Sequence, residues 1–320
     1  MIFAVIKSTK NFQISFSVFG NQQSCRAFYL LPVVFFSLFL TAFAQQEDEV
    51  IKVDSSLVVL NATVTDAKDK PVFGLKNNQF TIFEDGKPQV TSLFETESAP
   101  FAAVILIDTS GSMEQRVTLA RAAALHFLDG LRSGDMVSIY NFDSKVSLVQ
   151  DFPNSRDLVD NAYNLKADGM TVLNDAVYKA AQDLSNRPEK RRAIIVLSDG
   201  ADTLSKRSEQ KALKAALAVN ATIYTVDMSP VDENIKDRLQ SQEALKTFAE
   251  KSGGKFVATP GGAAMREAFK NIVAELGTQY TLGYQPAATV KDGKWHTIAL
   301  KVSKPNVQVR TRKGYNAPKK

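Results

Sequence analysis

Five oxygen-bearing side chains raise the first chemical question. Asp108, Ser110 and Ser112 fall within five positions of "VILIDTSGSME", directly after an apolar run, while Thr171 lies in "ADGMTVLNDAV" and Asp199 in "IIVLSDGAD". Two carboxylates and three hydroxyls suit a hard cation. Mg²⁺ takes an octahedral shell of oxygens, uses one or two carboxylates and keeps waters, which leaves positions open to a ligand. The expected metal is Mg²⁺, with Mn²⁺ or Ca²⁺ as alternatives. Taken singly, Asp108, Ser110 and Ser112 read equally well as helix N-terminal caps, because Asp and Ser are preferred there.

The same inventory weighs against enzyme chemistry, and no catalytic residue is expected. A serine hydrolase needs a base beside its nucleophile, but His126 falls more than three helical turns beyond Ser112, pointing away from the strand end, and His296 lies in the far β segment beside Trp295. An aspartyl-phosphate enzyme using Asp108 would want a general acid two residues on, where Ser110 stands. No P-loop is present, and "SGGK" and "PGGAA" lack the spacing of a dinucleotide loop. With one cysteine and two separated histidines, a hydrolytic zinc site has no ligand set.

Five such side chains can converge only if strand ends bring them together. From Pro100 to about Gly277, the apolar runs "FAAVILI", "MVSIYNF", "RAIIVLS", "ATIYTVD" and "GKFVAT" alternate with helical periods. That alternation predicts a doubly wound, mostly parallel Rossmann-like α/β sheet, whose ligands bind outside the carboxyl ends of the strands. "VSLVQDF" follows "MVSIYNF" too closely for a crossover helix, so it is expected as one antiparallel edge strand. Val117, Ala120, Ala124, Phe127, Leu128 and Leu131 share a helical face, with Gly134 as the stop. Further helices are expected over 172–184, 210–219, 242–251 and 265–276.

Short β patterns flank this region. Before it lie "SSLVVLNATVTD" and "QFTIFEDGKPQVTSLF", with Asp85-Gly86 as a hairpin turn; after it come "YTLGYQP", "KWHTIALKVS" and "VQVRTRKGY". Neither set buries enough alone. The two are therefore expected to pair as one small β-sandwich, with the α/β domain inserted in or flanked by it. The boundaries are 1–44, 45–98 for the N-terminal β segment, 99–278 for the α/β domain and 279–320 for the C-terminal β segment.

Residues 1–44 carry Lys7, Lys10 and Arg26, no acidic residue and the run "FYLLPVVFFSLFLTAFA". This reads as a secretory signal, with Ala42-Phe43-Ala44 as a small-x-small cleavage site, or else as an uncleaved membrane anchor. Without it the charge falls from +5 to +2, and 36 Lys and Arg face 34 Asp and Glu. No nucleic-acid partner is expected from so balanced a chain. The single cysteine, Cys25, would leave with the signal, so no disulfide or thiol chemistry is expected.

Taken together, "DTSGS", the loop threonine and the strand-end aspartate resemble a von Willebrand factor A-type domain with its metal-ion-dependent adhesion site. The resemblance covers roughly 99–276. It implies that Asp108, Ser110, Ser112, Thr171 and Asp199 are the metal ligands: the serines and threonine bind directly or through water, and the aspartates mainly through water. It also implies that an acidic group of a protein partner completes the shell. Met113, Met170 and Asp202 are expected on the ligand-binding rim, Met170 standing where a second glycine is often found. Asp143, Asp168 and Asp175 read as solvated turn or cap residues, and Asp202 fits that description as well. The flanks "VTDAKDKPVFGL…FTIFEDGKPQ" and "YTLGYQP…VRTRKGY" are similar to those of a group of exported bacterial proteins.

The expected function is an exported, non-enzymatic binding module in the periplasm, in the medium or at the cell surface. It would capture a partner's exposed carboxylate through the cation, and it would touch a membrane only through an uncleaved anchor. The alternatives are a structural or assembly protein whose sandwich makes the contacts while the metal stabilises, and a phosphoesterase using Asp108.

Overall fold

The computed structural model describes residues 57–96, 99–152, 169–229, 235–258, 263–287 and 292–319. The signal or anchor segment 1–44 and Asp168 lie outside the described residues. Among those residues, no helix is long and apolar enough to cross a membrane.

The α/β region is built on β5 (Phe101–Asp108), eight residues that are all buried. Around it lie β6 (Met136–Phe142), β7 (Val146–Gln150), β8 (Arg191–Ser198), β9 (Ala221–Asp227) and β10 (Phe256–Ala258), in the order β10-β9-β8-β5-β6-β7. Every pairing is parallel except β6 with β7, the antiparallel edge strand that the short connection requires.

Because alternate side chains leave a strand on opposite faces, β5 feeds two cores. Phe101, Ala103, Ile105 and Ile107 pack with α1 (Val117–Asp129) and α5 (Ala263–Thr278). Ala102, Val104 and Leu106 pack with α2 (Leu173–Ser185), α3 (Glu209–Ala218) and α4 (Ile235–Ser252). Burying a side chain such as Ile105 or Leu106 contributes about 2 kcal/mol, so this strand fixes the layer order. Helix α1 buries Val117, Ala120, Ala124, Phe127 and Leu128, the stripe read from the sequence. It ends at Gly130 rather than running to Gly134: Gly130 N–H bonds back to Phe127 and Leu128 carbonyls, and Gly134 lies beyond at positive φ. Helix α4 begins seven residues before the expected start, where "IKDRLQS" shows no clean apolar stripe.

The flanking segments form two four-stranded sheets, each mixing strands from both ends of the chain. The first, in the order β13-β1-β11-β4, unites β1 (Val58–Asp66), β4 (Thr91–Glu95), β11 (Tyr280–Tyr284) and β13 (Val307–Arg310). The second, in the order β14-β12-β2-β3, unites β2 (Phe80–Glu84), β3 (Lys87–Gln89), β12 (Trp295–Val302) and β14 (Gly314–Asn316). Leu60, Val64, Phe80, Ile82, Tyr280, Leu282 and Ile298 share one core, which makes the pair a sandwich. The α/β region leaves the chain after β4 and returns at β11, as an insertion.

Two polar knots, one buried and one part-buried, hold the insertion to the sandwich. Arg191, at the start of β8 and 1% exposed, donates to the Thr96 and Ala99 carbonyls on the way in and to the Thr281 hydroxyl on the way out. Glu275 of α5 accepts from Thr63 of β1, Tyr224 of β9 and Arg310 of β13. A part-buried carboxylate is stabilised by such partners, which replace the water it loses.

Candidate metal centre

Strand order reverses at β5, which has β6 on one side and the later β8 on the other. Connections leave this point toward opposite faces and open a crevice above the carboxyl ends. Asp108 is the last residue of β5 and Asp199 follows the last residue of β8; the register pairs Ile107 with Leu197 just below them. Asp108 is fully buried and Asp199 is 6% exposed.

Asp108 Oδ1 accepts the Ser110 N–H at 2.9 Å, which bends the chain back across the strand end. A single turn of 3₁₀-helix, Gly111–Met113, follows, and the Ser110 and Ser112 hydroxyls lie 3.1 Å apart. Ser110 is buried and Ser112 exposed, so the pair leads from the strand end to solvent. Neither the 3₁₀ turn nor α1 receives a side-chain cap from its preceding residue. The capping alternative therefore fails for Ser110.

The second loop is drawn to the first by the Gly111 N–H, which donates to the Gly169 carbonyl at 3.2 Å. Gly169 has φ +78, and a Cβ there would strike the Ser144 hydroxyl, so glycine is required. Thr171, 3% exposed, follows two residues later. Its N–H donates to the Thr203 hydroxyl, and its carbonyl accepts the Thr203 and Leu204 N–H groups, both at 3.0 Å. The second and third loops are thus sewn together at Thr171. Gly200, beside Asp199, has φ +90, and a Cβ there would run into the Ser241 carbonyl.

The carboxylates sit without a cationic neighbour: among the described residues neither Asp108 nor Asp199 forms an ion pair. Burial pushes the Asp108 carboxyl up to about 6. Hydrogen bonds from Ser110 and Ser198 oppose this, and the charge of Asp199 adds to it. A cation bound beside the two carboxylates would oppose that shift. The donor set fits Mg²⁺, being all oxygen with two carboxylates. Among the described residues no cluster of three or more His, Cys, Asp or Glu that could hold a metal ion occurs.

Ser198 was not foreseen. Its hydroxyl donates to Asp108 Oδ2 at 2.5 Å and accepts the Gly200 N–H at 3.0 Å, tying the ends of β5 and β8 together. The available signal was its place beside Asp199 at the end of a strand neighbouring β5.

The rim differs from expectation. Met113 is fully buried in the core with Val117 and Phe127, because the 3₁₀ turn swings it inward after Ser112. Asp202 spends its carboxylate on the Asn174 and Ser205 N–H groups and holds the third loop to the start of α2. Asp175 likewise takes the Lys206 and Arg207 N–H groups, and Asp143 takes that of Lys145. Met170 is half exposed.

The histidines stand apart from this site. His126 is exposed on α1 near Asp129. His296 Nδ1 is 2.7 Å from Asp85 and its Nε2 is 3.2 Å from Asp292, at one end of the sandwich. Burial alone would lower its pKa, and the two aspartates together raise it.

A six-stranded, mostly parallel sheet with oxygen donors gathered at its switch point defines a class of domain. Residues 103–201 match the family model of the von Willebrand factor type A domain. An uncharacterized protein of Synechocystis sp. is 29% identical over 106 residues, 32% of this chain and 25% of that protein, so the chain spans about a quarter of the length of the curated relative it matches. Among solved structures, the vWF domain of the type V pili tip protein Mfa5 from Porphyromonas gingivalis is 15% identical with a TM-score of 0.46, covering 55% of this chain and 95% of that one. The PilB minor pilin from Streptococcus sanguinis is 14% identical at 0.45, over 56% of this chain and 62% of that one. A von Willebrand factor type A structure from Catenulispora acidiphila is 12% identical at 0.45, over 83% and 75%.

Proposed function

We propose that this is an exported binding protein that captures an acidic group of a protein partner at the switch point of its α/β sheet. A divalent cation, Mg²⁺ first, would be held there by Asp108, Ser110, Ser112, Thr171 and Asp199. The observation that carries this reading is the pair of buried carboxylates at neighbouring strand ends, unpaired with any described cation and leading through two adjacent hydroxyls to solvent. The cation supplies Lewis acidity toward a carboxylate oxygen, without turnover.

The protein's own part is placement. Asp108 orients the turn that carries the serines, Ser198 fixes the Asp108 carboxylate, and backbone bonds tie Thr171 to the third loop. Such preorganisation lowers the ordering cost of binding. Export rests on the N-terminal segment that ends at Ala44.

Affinity capture from the host's envelope and medium tests this reading, run in Mg²⁺, in EDTA and with Asp108→Ala. A partner retained only by the wild type in Mg²⁺ is the expected result. One retained in all three conditions would move the function to the sandwich and leave the metal a stabilising role.

A further inference from the structure

Resting on that metal-capture reading, we infer that the site selects a carboxylate accompanied by an apolar side chain, through a clip formed by Met170 and Leu204. These residues are 50% and 46% exposed. A single exposed apolar side chain is ordinary on any protein surface. Here two of them occupy paired backbone at one edge of the candidate centre.

The pairing is direct. Met170 immediately precedes Thr171, and the Leu204 N–H donates to the Thr171 carbonyl at 3.0 Å. On its other side Met170 follows Gly169, whose carbonyl takes the Gly111 N–H of the serine-bearing turn. Met170 and Leu204 are therefore neighbours of Thr171, one along the chain and one through a backbone bond, and the loop that carries Met170 is bonded to the turn that presents the exposed Ser112.

The platform beneath them is held firmly. Asp202 binds the Asn174 and Ser205 N–H groups, and Asp175 binds those of Lys206 and Arg207 while pairing with the Arg207 guanidinium at 3.2 Å. Every residue from 202 to 207 either makes or adjoins one of these bonds, so Leu204 is exposed on a fixed loop. Covering two such side chains removes apolar area from water at little ordering cost.

The occupant follows from charge and shape. A cation beside an apolar edge suits a protein segment with Asp or Glu and a large aliphatic or aromatic residue within two positions of it. A purely acidic stretch would satisfy the cation and leave the clip wet.

Selection of a random peptide library on the purified protein tests this, using wild type, Met170→Ser/Leu204→Ser and Asp108→Ala, each in Mg²⁺ and in EDTA. Wild type in Mg²⁺ is expected to enrich Asp or Glu with Leu, Ile, Phe or Met within two positions. The double variant is expected to enrich the carboxylate alone and to bind the wild-type consensus peptide at least tenfold more weakly. Its Mn²⁺ affinity by calorimetry is expected to stay within about twofold of wild type and its Tm to fall by only a few degrees, since about half of each side chain is exposed.

A carboxylate consensus without apolar preference, or equal binding by the double variant, overturns the clip and leaves the metal reading standing. No carboxylate consensus, or one indifferent to EDTA and to Asp108→Ala, overturns the metal reading and the clip with it.

Discussion

The ends of β5 and β9 begin alike and finish differently. At β5, Asp108 accepts the N–H of Ser110, two residues on; at β9, Asp227 accepts the N–H of Ser229 at the same 2.9 Å. The second oxygens part company. Asp108 Oδ2 takes the Ser198 hydroxyl at 2.5 Å, whereas Asp227 Oδ2 takes the Gln242 amide of α4 at 2.6 Å. Ser229 is buried and turns its hydroxyl to the Asp199 carbonyl, while the β5 loop continues through Gly111 to the exposed Ser112. Asp-x-Ser at a strand end is thus a way to turn the chain. It becomes a candidate site only where a third oxygen reaches solvent and a neighbouring loop supplies more.

The sharpest way to break this contrast is to remove each aspartate. Asp108→Ala is expected to abolish the Mg²⁺-dependent rise in stability, about 2.7 kcal/mol with the metal at a hundred times its Kd. Asp227→Ala keeps that rise but loses about 2 kcal/mol without metal, because Gln242 and the Ser229 N–H lose their acceptor. Urea unfolding with and without Mg²⁺ reads both, and a rise that survives in Asp108→Ala would erase the distinction.

Next in size, Ser198→Ala takes a donor from the Asp108 carboxylate and should lower metal-free stability by about 1.5 kcal/mol in the same unfolding experiment. Ser112→Ala should weaken Mn²⁺ binding about tenfold, roughly 1.4 kcal/mol, while Ser229→Ala leaves it unchanged. Calorimetric titration compares the pair, and equal effects would mean that solvent access does not distinguish the loops.

The smallest effect provides a control far from both. His296 is raised from its ordinary 6.5, so its contribution is complete below that pH and is lost as pH rises through the folded pKa. Asp85, through the Thr297 N–H, and Asp292, through the Lys294 N–H, are lowered from 3.8, so theirs is lost on acidification below that value. The Tm gap between wild type and His296→Gln should be widest between pH 3.8 and 6.5 and should close in alkali. Mg²⁺ should not alter it.

Some of this was legible in the sequence because it is written locally. The parallel sheet and its one antiparallel edge follow from apolar runs and connection lengths, and the buried stripe of α1 follows from helical spacing. The sandwich was legible by elimination, since neither β segment could bury itself alone. Ser198 was not, because its meaning depends on Asp108, ninety residues earlier. Met113 misled because a 3₁₀ turn, not the helix that follows, sets its direction. Asp202 read both as a rim residue and as a turn or cap residue, and its two backbone partners, from α2 and from its own loop, are those of the second reading.

The insertion has a consequence for the order of assembly. β1 is hydrogen-bonded to β11 and β13, and β2 to β12, so the sandwich cannot close until the last strands of the chain exist. Its first four strands must wait through the whole α/β region. In the folded protein Arg191 holds Thr96 and Thr281 side by side, so an α/β region that folds first would turn a search across a long loop into a meeting of neighbours. One buried guanidinium would thus set the sequence of events, with the α/β domain serving as the template on which the two ends of the chain find each other.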